Sequence, residues 1–246
     1  MTIPPNTPET ARRNRLLAAL PRPDLDRLLA ALDPVPLPLQ QVLFRADEPF
    51  EYVHFPIDGI VSLTGSVQNE PMVEIAMIGN EGLVGLSAFL EAKAIPLNAL
   101  VQVEGNAMRM RVTALEEEIK GGAISGALNG ILRRYTQVLF NQVAQGVVCN
   151  RLHSMEERLA RWLLMSHDRV QTSEFPLTQE FMARMLGVRR ATVNETASAL
   201  QQAGLIRYNR GRITIVDPER LKETSCECYS IIKRGYDQMF EPRPGS

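Results

Sequence analysis

The chain is poor in the residues that staple small proteins together or carry them into membranes. Three cysteines in 246 residues, Cys149, Cys226 and Cys228, cannot make a disulfide framework, and their odd number implies thiols kept reduced in a cytosol. The longest uncharged run, 135–150, is broken by Thr136, Gln137, Asn141, Gln142 and Gln145 and is shorter than the ~20 residues a membrane span needs. Arg12, Arg13 and Arg15 precede only the short apolar run 16–20 before Pro21, so no signal-peptide core is expected. Charge of one sign is lacking too. With 27 basic and 28 acidic residues the net charge is −1, which excludes coating nucleic acid by bulk charge and makes any such role local. The three histidines, His54, His153 and His167, are scattered, and the segment 35–111 holds only one of them and no cysteine. A cupin-like metal enzyme needs clustered His and carboxylate ligands there, so that reading has little to stand on. The expectation is a cytoplasmic protein without a membrane partner, a cofactor or a metal.

What is present is enough for a packed core: 45% of residues are hydrophobic and 22% charged, which fits one or two domains. Residues 1–13, rich in Pro and Thr without apolar period, read as a disordered leader. Asp24 is an N-cap candidate for a helix carrying Leu25, Leu28, Leu29 and Leu32 and ending before Pro34. Short apolar runs follow at 42–44, 52–55, 59–63, 72–77, 100–103 and 107–110, separated by Asp58-Gly59, Gly79-Asn80 and Glu104-Gly105. This texture predicts an antiparallel barrel or roll.

Helical periodicity returns over 124–149. At about 100° per residue, Leu128, Ile131, Leu132, Tyr135, Val138, Leu139, Phe140, Val143 and Val147 fill half of the circumference, wider than one core requires. The helix is therefore expected to meet both its own β domain and the same helix of a second copy, with Leu128, Leu132, Tyr135, Leu139, Gln142 and Gly146 at the self-association face. Ser154 and Glu157 form a capping box that starts a new helix after a hinge at 150–153.

The most informative stretch begins at Phe175. Thr178 is an N-cap for a helix over 179–186, Gly187 supplies a positive φ, and a second helix runs from about Arg189 to Gln202. Small Ala183 and branched Val193 suit two helices crossing steeply after a tight turn, which is a helix-turn-helix. The runs 206–208 and 213–216, joined across Asn209-Arg210-Gly211-Arg212, read as a β-hairpin wing. Between Pro176 and Val216 six arginines face two glutamates, a local charge of +4 in a chain that is otherwise negative. Arg189, Arg190, Thr192 and Asn194 are expected to read bases, and Thr178, Gln179, Arg207, Arg210 and Arg212 to hold phosphates.

The order of N-terminal helix, glycine-punctuated β segment, long helix and winged helix-turn-helix resembles the Crp/Fnr family of bacterial transcription regulators over residues 20–222. The likeness is most specific at 177–216 and looser at Gly59, Gly79-Asn80-Glu81-Gly82 and Gly85. The resemblance implies an α+β fold: a cyclic-nucleotide-binding-like antiparallel β-roll as sensor-like domain over 14–120, a dimerisation helix at 121–149 and a winged helix-turn-helix at 150–222. A C-terminal tail, partly helical, would occupy 223–246. It also implies a homodimer on a pseudo-palindromic operator, with double-stranded DNA and a second copy as partners and RNA polymerase as a further candidate. Nucleotide-binding relatives carry a Glu after the Gly matching Gly85 and an Arg-Ser pair before the Ala matching Ala99. Here Leu86, Leu97 and Asn98 stand instead, so cyclic AMP is not the expected effector, whose identity stays open. The cysteine cluster that oxygen-sensing relatives use near the N-terminus is missing. Cys226-Glu227-Cys228 leaves metal or redox sensing as an alternative, although two neighbouring thiols with no nearby His fall short of a closed four-ligand site. Arg190 matches the family's common base-contacting arginine, whereas Ala191 and Glu195 depart from its pattern.

Overall fold

A computed structural model describes residues 2–67, 72–121, 125–170 and 172–241. Three short helices open the chain: α1 (Pro8–Ala11), α2 (Arg15–Ala18) and α3 (Arg22–Leu28). The expected disordered leader is therefore corrected over residues 6–13. Thr7 caps α1 and Pro8 sits in its first turn, Ala11 is fully buried, and Asn6 Nδ2 donates to the Leu32 carbonyl at 2.7 Å. Asn14 binds the segment to the roll. Its Oδ1 accepts from the Leu16 and Leu17 amides while its Nδ2 donates to the carbonyls of Pro56 and Gly82, each at 2.9 Å. The α3 helix starts two residues before Asp24, with proline at its N-terminus, and Leu32 leaves the helix to enter a strand.

Among the described residues seven antiparallel strands build the roll: β1 (Leu32–Leu37), β2 (Val42–Phe44), β3 (Tyr52–Pro56), β4 (Ile60–Gly65), β5 (Val73–Ile78), β6 (Asn98–Val103) and β7 (Gly105–Arg111). They form two sheets, ordered β1-β7-β3 and β2-β6-β4-β5, that enclose Phe55, Ile60, Val61, Met77, Ile78 and Val101. The β1 strand, absent from the apolar pattern, contains Pro34 and Pro36. It is tolerated because β1 lies at a sheet edge, where a missing N–H costs no ladder bond.

Helix α4 (Val112–Lys120) leads into α5 (Ser125–Leu152) and α6 (Met155–Val170). The joint follows the capping box: the Ser154 amide donates to Glu157 Oε2 at 2.7 Å and the Glu157 amide to Ser154 Oγ at 3.3 Å. The hydroxyl and amide of Ser154 hold the Glu157 carboxyl below the usual carboxylate range. Then come β8 (Glu174–Pro176), α7 (Gln179–Leu186), α8 (Arg190–Gln202), β9 (Ile206–Asn209), β10 (Arg212–Ile215), α9 (Pro218–Thr224) and α10 (Glu227–Phe240). The last of these lies along α5, so the tail beyond 222 is mostly helix.

That packing revises the role of α5. Leu128, Leu132, Tyr135 and Leu139 are buried against the chain's own roll. Gln142 is buried as well, its Nε2 donating to the Met77 carbonyl at 3.1 Å and its Oε1 accepting from the Tyr236 hydroxyl at 2.9 Å. These five expected self-association residues are spent within one chain. Gly146 is half-buried beside open space, and the apolar positions left exposed are Phe140 (66%), Val147 (66%), Val148 and Leu152. The wide apolar arc is real, but much of its second half meets α10.

Candidate nucleic-acid interface

The winged domain folds as its local sequence dictates. Thr178 Oγ1 accepts from the Phe181 amide at 3.1 Å and caps α7, and Gly187 ends that helix at φ 65°, ψ 39°, a left-handed conformation that a β-carbon would strain. The chain turns there and restarts with Arg189 as N-cap of α8. Met182, Ala183, Met185, Val193, Ala197 and Leu200 are buried where α7 and α8 cross. In the wing, Asn209 pairs with Arg212, which leaves Arg210 (φ 47°) and Gly211 (φ 76°) as a two-residue turn with both φ positive, as a type I′ hairpin requires. A third strand, β8, pairs with β10 on the other side and was not visible in the apolar pattern.

Cross-bonds fix the wing to the helices. The Leu177 amide donates to the Gly211 carbonyl at 2.7 Å, the Gln179 amide to the Tyr208 hydroxyl at 3.2 Å, and the Tyr208 amide to Gln201 Oε1 at 2.7 Å. The wing tip therefore stands beside the N-terminus of α7. Among the expected base readers, Arg189, Arg190 and Asn194 are exposed and Thr192 is half-buried; Asn194 Oδ1 accepts from Gln179 Nε2 at 2.8 Å, joining the first turns of both helices. Among the expected phosphate holders, Thr178, Arg207, Arg210 and Arg212 are exposed and Gln179 is half-buried. Arg212 is ion-paired with Glu174, a carboxylate just outside the stretch whose charge was counted, so it offers a partner less charge than expected. Among the described residues, Arg189, Arg190, Arg207 and Arg210 have no ion-pair partner. The result is a face with unpaired guanidinium groups at a helix N-terminus, flanked by a basic hairpin.

This domain also docks on the roll. Helix α7 packs against β5, where Val73 comes within 3.0 Å of the position a Gly187 β-carbon would take. Beside that contact lies a cleft of about 840 Å³ lined by Val67, Ile75, Leu97, Ala183, Val188 and Arg189. Glu74, half-buried on the same strand, accepts from Trp162 Nε1 at 2.7 Å and from Ser62 Oγ at 2.6 Å, and desolvation raises its pKa against those bonds. Glu81 and Arg169 form a buried ion pair at 2.8 Å, and Arg169 Nη2 also donates to Gln142 Oε1 at 3.3 Å. In the roll itself, Leu86 belongs to the core, and Asn98 Oδ1 accepts from the Ala46 amide at 3.0 Å.

A second constellation was missed. The fold brings His153 and Cys149 to Cys226 and Cys228, with Cys149 Sγ 3.5 Å from Cys226 Sγ and Cys228 Sγ 3.5 Å from His153 Nδ1. The expectation of two thiols without a histidine nearby is thus corrected. Burial, followed by the Cys149 thiol, pushes the Cys226 thiol up to about 12. The available signal was Cys149 and His153 at i, i+4 spacing on one helix face, combined with a Cys-x-Cys segment. His54, by contrast, is a core residue of β3 whose pKa burial lowers to about 4, with Arg109 adding to the effect.

A roll, a long helix and a winged helix-turn-helix with a free arginine face define a two-domain protein of the winged-helix DNA-binding class. Residues 157–224 match the Crp-like helix-turn-helix domain. A CRP-like cAMP-activated global transcriptional regulator of Mycobacterium tuberculosis is 26% identical over 202 residues, which cover 79% of this chain and 88% of that one. The structure of FixK2 from Bradyrhizobium japonicum superposes with a TM-score of 0.67 at 18% identity, covering 79% of this chain and 98% of that one. A CRP-family transcriptional regulator from Thermus thermophilus gives 0.64 at 16% identity, covering 78% and 96%. The chain thus carries a Crp-like helix-turn-helix domain at residues 157–224 and shares the fold of these regulators. Among the described residues no helix is long and apolar enough to cross a membrane.

Proposed function

We propose that the chain acts in the cytoplasm as a homodimer on a pseudo-palindromic DNA site, each copy laying α8 in a major groove. The observation that carries this reading is the unpaired, exposed pair Arg189 and Arg190 at the start of α8, with Arg207 and Arg210 free on the adjoining wing. Residues in the first turn of a recognition helix face base edges, and an arginine fork there matches the O6 and N7 acceptors of guanine. Arg190, Asn194 and Thr192 read bases with Arg189; Thr178, Gln179, Arg207 and Arg210 grip phosphates, and Arg212 contributes once Glu174 releases it. The exposed stripe of Phe140, Val147 and Val148 on α5 suits the matching stripe of a second copy, which two half-sites require.

The roll works without cyclic AMP. A cyclic phosphate needs charge-assisted donors, and the corresponding positions hold an apolar core residue, Leu86, a cleft-lining leucine, Leu97, and an amide already engaged by the backbone, Asn98. The test is selection of bound fragments from genomic DNA, followed by affinity measurements with Arg190→Ala. The variant is expected to lose about 1–3 kcal/mol on the selected site and to bind random duplex as before. Two chains per selected duplex are expected. Unchanged discrimination by the variant would remove Arg190 as a base reader.

A further inference from the structure

We propose that Cys149, His153, Cys226 and Cys228 form a tetrahedral site for one zinc ion, which clamps α10 onto the joint between α5 and α6. All three cysteines of the chain meet one of its three histidines at this point, and the four ligand atoms lie within 4.8 Å of one another. Zinc–ligand bonds of about 2.3 Å to sulfur and 2.0–2.1 Å to nitrogen imply tetrahedral edges of roughly 3.8 Å between sulfurs and 3.6 Å from sulfur to nitrogen. Two of the separations are 3.5 Å and none exceeds 4.8 Å, so the side chains need to move by no more than about 1 Å to close around the ion.

The surroundings are those of a metal site. Metal-bound imidazoles usually donate their second ring N–H to a carboxylate, and His153 Nε2 lies 3.3 Å from Glu227 Oε2 while Nδ1 faces the sulfurs. The segment 226–228 thus supplies two thiolates and the orienting carboxylate together. Gln145 Nε2 donates to Cys228 Sγ at 3.0 Å and so fixes the position of that sulfur. On the helix side, the His153 amide donates to the Cys149 carbonyl at 3.1 Å, so both ligands sit one turn apart on one rigid backbone. Coordination releases the three thiol protons to solvent. The resulting unit carries a charge of −1, offset by the Arg158 guanidinium, which interacts electrostatically with Cys149. Cys226 also borders a surface pocket with Glu219, Glu223 and Glu227 against one cation, Lys222, a net acidic approach. All four ligands lie outside the matched helix-turn-helix domain, which spans residues 157–224. The site goes beyond the DNA-binding reading and does not depend on it.

The experiment loads the full chain, purified under reducing conditions, with zinc and removes the excess. One zinc per chain is expected, and cobalt in its place should give the thiolate charge-transfer and intense d–d bands of tetrahedral sulfur ligation. Chelation should lower the melting temperature, the double variant C226S/C228S should retain no metal, and Glu227→Gln should bind zinc 10–100-fold more weakly. Substoichiometric zinc, an octahedral cobalt spectrum, equal metal retention by C226S/C228S, or a Cys149–Cys226 disulfide in the reduced preparation would each overturn the proposal. If the double variant does not fold, the cobalt spectrum of the unmutated chain decides alone. None of these outcomes bears on duplex binding.

Discussion

In the seam between roll and winged domain, Arg169 is buried and saturated: it pairs with Glu81, donates to the Met165 carbonyl and Gln142, and lies over the Tyr236 ring. On the solvent face of the winged domain, Arg189, Arg190, Arg207 and Arg210 stand in water with no acidic partner among the described residues. The same side chain does opposite work in the two places. A guanidinium that holds geometry has its donors satisfied, because an unpaired buried charge costs several kcal/mol. One that must meet phosphate or guanine keeps its donors free, since a strong internal pair would have to break first.

The contrast can be broken most forcefully in the seam. Glu81→Ala leaves the Arg169 cation buried without its counter-charge and is expected to cost about 3–5 kcal/mol in urea or thermal unfolding. At roughly 2–4 °C per kcal/mol for a chain of this size, the melting temperature should fall by on the order of 10 °C. A loss within 1 kcal/mol would show that the seam does not rely on this pair. Acid supplies the next largest effect. His54 is neutral in the roll with a pKa of about 4, but the unfolded chain takes up its proton near 6.5, so stability falls as pH drops from about 6.5 to 4. The loss attributable to His54 is about 3 kcal/mol, from 1.36 kcal/mol per pKa unit. It is read as the difference in pH slope between the native chain and His54→Gln; parallel slopes would refute it. The smallest effects belong to the open face. Arg207→Ala and Arg210→Ala should leave unfolding within about 0.5 kcal/mol, while each lowers the salt slope of duplex binding by ~1. A wing variant that unfolds easily, or that leaves the salt slope intact, would erase the distinction between the two regions.

Legibility followed the range of the interactions. Thr178, Gly187 and the Arg210-Gly211 turn were readable because each acts within a few residues, through a cap, a positive φ or a tight hairpin. The Ser154–Glu157 box was readable for the same reason. Strand β1 was hidden by its own prolines, which are harmless only at an edge that the sequence does not announce. Residues 2–13 looked structureless by composition, yet Thr7-Pro8 is a local helix-start signal, and Asn14 gains two of its four bonds from the distant carbonyls of Pro56 and Gly82. The self-association face was misplaced because periodicity reports that a surface is apolar, not what covers it. The tail was expected to be partly helical, but nothing local said that the roll would cover the leucines of that face and that α10 would reach Gln142 beside them. Cys149 and Cys226 stand 77 positions apart, and only the folded chain brings the four ligands together.

The Gln142 side chain ties three elements together. One amide holds the Met77 carbonyl of the roll, the Arg169 guanidinium of α6 and the Tyr236 hydroxyl of α10. Turning α5 by a single residue, about 100°, would tear all three contacts at once. The long helix is therefore keyed in rotation by one side chain: it cannot turn about its axis without breaking its bonds to the roll, to α6 and to α10 together.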